Sequence, residues 1–248
     1  MPGDDERHER CDNKIMEKVI TIDGPAGAGK STVSKAVAAR LQYVYLDTGA
    51  LYRALAYKAL KHNINVNNSA ELAALCSTTE VTLKNIDGKI TVYIDGNDVG
   101  DKIRTEEVGL AASAISAFPV VREKLLSLQR EAGACGGIVA EGRDMGSVVF
   151  PDAKFKFFLD ANLEERIRRR RTELIQKNGP VGLDSISKDM QARDHQDSQR
   201  KNAPLTASPN AIIIDSTSLD ISQVVEIILE RVSADMLEGK NERNAMGA

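Results

Sequence analysis

The sequence predicts an α/β fold: a five-stranded parallel sheet flanked by helices, with a lid and a small antiparallel lobe inserted partway along the chain. Three observations predict it. Val19 to Asp23 reads as a strand, a glycine-rich loop follows, and Ser31 to Leu41 carries Val33, Ala36, Val37 and Leu41 at helical spacing. Short apolar strand candidates then alternate with helical segments, the order that favours parallel pairing with helices on both faces. Two Asp-Gly pairs, Asp87-Gly88 and Asp95-Gly96, punctuate alternating residues in a way that signals hairpin turns.

Residues 1–16 are polar and are expected to form a disordered extension ahead of a single domain spanning 17–236. The core comprises 17–61, 134–161 and 204–236. The second strand is expected at Tyr43 to Leu46, ending at Asp47-Thr48-Gly49, with a helix capped by Thr48 running to about Lys61. The inserted lobe falls within 62–133. There Val81-Thr82-Leu83 and Ile90 to Ile94 alternate, and Asn68 to Gly100 reads as antiparallel. Thr105 is placed to cap a helix whose first turn holds Glu106 and Glu107, where the helix dipole favours acids. Pro119 interrupts it, and a second helix runs to about Gly133.

Gly137 to Ala140 restores the α/β pattern and ends at Glu141-Gly142-Arg143-Asp144. Phe155 to Leu159 is a fourth strand. Asn162 with Glu165 three residues on resembles a capping box. It opens the lid region, 162–203: an arginine-rich helix ended by Asn178-Gly179-Pro180, then a polar helix over about Ser185 to Asn202. A fifth strand, Ala211 to Ile214, and a helix from Ile221 to Met236 close the domain, leaving 237–248 as a tail.

Composition excludes several classes. A net charge of -3 gives no sign of nucleic-acid binding. No run approaches the ~18 apolar residues of a membrane span, and the polar start lacks a signal-peptide core. Cys11, Cys76 and Cys135 have no metal-like spacing, which fits a reduced, cytoplasmic chain.

The chemistry begins at Gly24-Pro25-Ala26-Gly27-Ala28-Gly29-Lys30-Ser31-Thr32, which fits the phosphate-loop pattern G-x-x-x-x-G-K-[ST]. Glycines let backbone N–H groups converge on phosphate oxygens, and the helix N-terminus adds partial positive charge. Lys30 can reach the β- and γ-phosphates, and the Ser31 hydroxyl can ligate Mg²⁺. Ligands of open α/β sheets sit beyond the carboxyl ends of the strands. Arg53, one turn after the second strand, and Arg143, after the third, can therefore face the same crevice. Two phosphate-reading clusters suggest two phosphorylated ligands facing each other. Arg166, Arg169, Arg170 and Glu173 share one face of the arginine-rich helix, and Asp189, Arg193, Asp197 and Arg200 form a stripe on the next. Such helices make a poor core and a good lid over a transferring phosphoryl group. No catalytic base stands out; His62 and His195 have no obvious partners. An acceptor phosphate needs none, because its oxygen is already anionic.

These residues together resemble the bacterial cytidylate kinases of the nucleoside monophosphate kinase superfamily, which have the phosphate-loop kinase fold. The resemblance runs from about Val19 to Arg231 and rests on T-I-D-G-P-A-G-A-G-K-S-T, L-D-T-G-A-L-Y-R, F-P-V-V-R, E-G-R-D-M-G-S-V-V-F-P-D-A and the R-D-x-x-D-x-x-R stripe. It implies transfer of the γ-phosphoryl group of ATP to CMP or dCMP, with Mg²⁺, in pyrimidine nucleotide metabolism. The lobe at 62–133 would be the enlarged monophosphate-binding region. Arg53, Arg143 and Arg200 would clamp the acceptor phosphate. Ser113, Arg122 and Asp144 would read cytosine, whose N4 amino group suits a carboxylate. Arg193 and Asp197 would contact the sugar, and Thr48 stands where a serine is common. Glu141 would lie near Mg²⁺, directly or through water, and Arg166 and Arg170 are the lid candidates for the transferred phosphate. The partners expected are the two nucleotides, bound by a monomer, with no nucleic acid or membrane. Two other readings stay open at this point: a kinase of broader UMP/CMP or AMP specificity, and a nucleotide sensor without turnover.

Overall fold

The computed structural model describes residues 15–16, 18–178 and 182–246. Residues 1–14 of the expected extension and the Gly179-Pro180 turn lie outside it. The central strand β1 (Val19–Asp23) is buried along its whole length. It pairs in parallel with β6 (Ile138–Gly142) on one side and β7 (Phe155–Asp160) on the other. β2 (Val44–Asp47) extends the sheet beyond β6, and β8 (Ile212–Asp215) beyond β7. The expected five-stranded parallel sheet is thus present in the order β2-β6-β1-β7-β8.

Its strands are nearly continuous apolar runs because helices cover both faces. Alternation sorts them: Val19, Leu46, Ile138 and Ala140 pack on one face, and Ile20, Ile22, Val139 and Phe157 on the other. The first face lies under α2 (Thr48–Lys61), α3 (Ser69–Thr78), α4 (Glu106–Ile115) and α5 (Pro119–Gly133). The second lies under α1 (Lys30–Leu41) and α8 (Ile221–Met246). The lid region is α6 (Leu163–Asn178) and α7 (Leu183–Gln199), with a small apolar cluster of its own at Leu174, Ile186 and Met190.

Four features differ from the reading of the sequence. The first part of the inserted lobe is helical: the Asn68 side chain accepts from the Ala70 and Glu71 N–H groups, and α3 buries Leu72, Leu75 and Cys76. The hairpin of β3 (Val81–Ile86) and β4 (Lys89–Ile94) is antiparallel as expected, with Asp87 and Gly88 both at positive φ. A two-residue strand β5 (Asn97–Asp98) follows. The hairpin is joined to the main sheet rather than standing apart from it, since the Tyr45 N–H donates to the Gly88 carbonyl at 2.8 Å, and β4 covers the outer edge of β2. Thr48 is not the cap of α2. Asp47 is, accepting from the Ala50 N–H at 3.0 Å, while the Thr48 hydroxyl donates to the Glu141 carbonyl at 2.6 Å. The caps at Thr105 and Asn162 form as the sequence suggests. The last helix continues to Met246, through residues the patterning assigns to a tail.

The turn from β1 into the glycine loop admits no side chain. Gly24 has φ +148°, and a Cβ there would lie 2.0 Å from the Leu159 carbonyl oxygen of β7. Gly24→Ala is therefore expected to cost about 3 kcal/mol or more, through backbone strain and a clash neither partner can relieve. A melting temperature within a degree of the parent would refute this.

Candidate active site

Strand register brings three acidic strand ends together. Asp23 lies opposite Gly142, and Asp47 opposite Glu141. All three carboxylates are buried, and each is satisfied differently. Asp23 accepts from the Met145 and Gly146 N–H groups, both at 2.9 Å, and fixes the turn that carries Arg143 and Asp144 out of β6. Burial raises its pKa to about 6 against the opposing effect of those bonds. Burial also pushes Asp47 up, yet Arg53 and Arg104 together hold it below the ordinary carboxylate range. Their guanidiniums lie 2.9 and 3.0 Å from Asp47 Oδ2. Glu141 is raised by burial and by the nearby Asp47 charge, while the Tyr45 and Ser31 hydroxyls donate to it.

Beside them the loop wraps the N-terminus of α1. Gly27 and Gly29 sit at φ +77° and +94°, conformations that turn successive N–H groups inward. The Lys30 ammonium donates to the Pro25 carbonyl at 2.6 Å. Burial, then repulsion from Arg143, lowers its pKa from 10.5 to about 7. A triphosphate in the loop would restore the charge. Above neutrality, its binding is expected to take up close to one proton per site. Titration calorimetry at pH 8 in buffers of different ionisation enthalpy would show it; observed heats that do not change from buffer to buffer would contradict it.

The acceptor side is a set of buried ion pairs. Arg122 of α5 pairs with Asp144, and Arg200 Nη2 lies 3.9 Å from the same carboxylate. That Nη2 atom is buried with no hydrogen-bond partner among the described residues. Arg143 Nε donates to Asp197 Oδ2 at 2.7 Å, which ties the end of β6 to α7. Arg193 donates to Glu106, and Ser113 to Gln196 at 2.9 Å, so α4 also meets α7.

A cleft of about 1150 Å³ joins the two halves. It is lined by Ala26 to Thr32 of the loop, and by Thr48, Arg53, Ser113, Arg122, Glu141, Arg143, Asp144, Arg193, Asp197 and Arg200. The structure thus brings most of the expected site residues to one cavity. Gly24 and Pro25 shape the loop from behind. Of the lid candidates, Arg170 lines the cleft and pairs with Glu106 and Glu173. Arg166 is buried beneath: it donates to the Ala161 and Ala26 carbonyls at 2.9 and 3.2 Å and to Asp194 at 2.7 Å. Its place is that of a strut between lid and loop.

Several cleft residues escaped the sequence. Arg104, from a 3₁₀ turn at Gly100–Arg104 in the inserted lobe, lines the cleft beside Arg53. Arg169 lies on the helical face that the sequence assigns to the lid; what its spacing does not signal is the reach to Ser216 beyond β8 and to the Ala28 carbonyl of the loop. Asp47 was visible only as a strand end. Its pairing with Arg104 spans the inserted lobe, and no local spacing signals it.

Among the described residues, no cluster of three or more His, Cys, Asp or Glu side chains could hold a metal ion. Mg²⁺ in phosphoryl-transfer sites needs no such cage, since substrate phosphates and water supply most ligands. The Ser31 hydroxyl beside the Glu141 carboxylate suits that role.

The cytidylate kinase family model matches residues 20–234. A cytidylate kinase of Desulfitobacterium hafniense (strain Y51) is 48% identical over 210 residues, covering 85% of this chain and 90% of that protein. One of Citrifermentans bemidjiense is 46% identical over 221 residues, covering 89% and 95%. One of Escherichia coli O1:K1 / APEC is 47% identical over 212 residues, covering 86% and 93%. The matched span contains the loop, both clusters of arginines and the lid, and the chain belongs to the cytidylate kinase family.

Proposed function

We propose that this chain transfers the γ-phosphoryl group of ATP to CMP or dCMP, releasing ADP and CDP or dCDP. The observation that carries the reading is the single cleft, with a phosphate loop on one side and Asp144, paired to Arg122, on the other. A carboxylate in that place accepts from the N4 amino group of cytosine and repels O4 of uracil, while Arg122 and Ser113 can donate to cytosine O2 and N3. Arg193 and Asp197 would hold the sugar, with Thr48 in the cleft wall. A monomer remains the expected state, and the free Cys76 and Cys135 accord with a cytoplasmic enzyme.

The mechanism follows from charge. The acceptor phosphate would be held by Arg53, Arg143 and Arg200, each of which now faces a carboxylate that an incoming phosphate can replace or share. Its anionic oxygen attacks the γ-phosphorus in line, the bond to the β–γ bridging oxygen breaks, and no proton need be removed. Lys30 and the inward N–H groups of the loop would stabilise charge on the transferring group, with Arg170 closing from the lid. Ser31 and Glu141 would hold Mg²⁺, directly or through water, and the ion would supply positive charge to offset that of the phosphates. A coupled assay of ADP release with CMP, dCMP, UMP and AMP tests the reading. Turnover with CMP and dCMP, and little with UMP and AMP, is expected. Equal rates with UMP would replace this reading with a broader kinase, and no turnover with any acceptor would leave a nucleotide sensor.

A further inference from the structure

Glu106, Gly109 and Ser113 of α4 fall at i, i+3 and i+7 and so share one helical face. That face meets α7. Glu106 Oε2 accepts from Arg193 Nη2 at 2.9 Å, and Ser113 donates to Gln196. Gly109 makes room between them, since a Cβ there would lie 2.8 Å from Arg193 Nη2. The other oxygen of Glu106 accepts from Arg170 Nη2, which belongs to α6. One carboxylate, standing on the acceptor lobe, therefore bridges guanidiniums from both helices of the lid region.

The bridge sits beside the phosphate loop. A small cavity of about 100 Å³ is bordered by Ala26, Gly27, Glu106, Arg170, Asp189 and Arg193. The two guanidiniums repel each other: after burial, Arg170 is the next largest influence lowering the pKa of Arg193. Without a carboxylate between them they would separate, and Arg170 would leave the edge of the loop. An exposed ion pair would contribute little, but this one joins three helices across a cleft whose closure the reaction needs.

We propose that Glu106 is a positioning residue for phosphoryl transfer, gathering Arg170 and Arg193 beside the phosphate loop so that lid and acceptor lobe close as one unit. The proposal rests on the reading of the chain as a nucleotide kinase. Glu106 touches no reacting atom; it acts through the two arginines. Arg170 would count chiefly in the transition state, so its misplacement should fall on kcat rather than on KM.

The test compares the parent with Glu106→Gln, which keeps the shape and removes the charge, and with Glu106→Asp, which keeps the charge on a shorter stem. With Glu106→Gln, kcat for CMP is expected to fall about tenfold, while KM for CMP and for ATP changes less than about threefold. Glu106→Asp should recover at least about a third of the parental kcat, because the bridge needs charge more than length. Glu107 keeps an acid in the first turn, so melting should shift by only a few degrees. In the ligand-free protein, amide exchange across Leu163–Asn178 and Leu183–Gln199 should be faster in Glu106→Gln. A parental kcat in Glu106→Gln, equal losses in the Gln and Asp variants, or parental exchange in the lid would each overturn the proposal. If the parent itself fails to phosphorylate CMP, the kinase reading fails, and the exchange measurement still decides whether Glu106 holds the lid.

Discussion

Replacing Lys30 with Met is expected to lower kcat for CMP by a factor on the order of 10³, with KM for CMP changed little. In the ligand-free protein Lys30 is buried and donates to the Pro25 carbonyl, a neutral acceptor. Its charge is therefore available to an incoming phosphate. The variant fills the same space without that charge. The CMP-binding arginines are untouched, which is why the loss should fall on kcat and not on acceptor binding. Stability should move the other way. Because the folded state holds Lys30 near pKa 7 against 10.5 unfolded, the unfolded chain binds more protons between those values. The parent should thus become more stable as pH rises from about 7 towards 10, with the cost of the buried charge fully present below 7. The Met variant should lack that slope and be the more stable protein at neutral pH. Chemical denaturation of both at pH 6, 8 and 9.5 would show it, and a variant less stable than the parent at pH 6 would contradict the account of Lys30 as a charge that burial penalises more than its neighbouring carboxylates favour it.

The second large effect is expected at Asp144. Asp144→Ala should lower kcat/KM for CMP by about 10² to 10³ while changing UMP much less, so that discrimination between the two collapses. Two causes combine. The carboxylate proposed to accept from the cytosine amino group is gone, and the buried guanidiniums of Arg122 and Arg200 lose their shared counter-charge. Arg143→Ala is the control for the phosphate side: it should weaken CMP and UMP alike, because its partner is a phosphate common to both. Side-by-side kinetics with the two acceptors separate these outcomes. A variant lacking Asp144 that still phosphorylated CMP at the parental rate and rejected UMP would remove Asp144 from base selection.

Local patterns made the fold and much of the cleft legible in the sequence. The phosphate loop, the strand ends bearing Arg143 and Asp144, and the caps at Thr105 and Asn162 are short-range features, and short-range spacing encodes them. What escaped is long-range. Asp47 holds Arg104 across the inserted lobe, and Asp23 fixes the turn after β6 through backbone N–H groups far along the chain. Glu106 reads locally as an ordinary first-turn acid, yet its partners lie on two later helices. Arg166 shows the converse: its helical face suggested the cleft, but packing turned its guanidinium onto the back of the loop. Helix α3 has its cap, Asn68, in the sequence, but the Asp-Gly turns that follow give the stronger local signal.

The position of β1 also sets a timetable. It is made well before its sheet neighbours, Ile138–Gly142 and Phe155–Asp160. During synthesis at ~5–20 residues per second, the strand that carries the phosphate loop waits several seconds for both sides to arrive. Meanwhile Val19, Ile20 and Ile22 have no sheet to join. The nascent chain therefore carries this buried strand as an orphan until both neighbours have been made, and nucleotide cannot help it fold until Asp160 has left the ribosome.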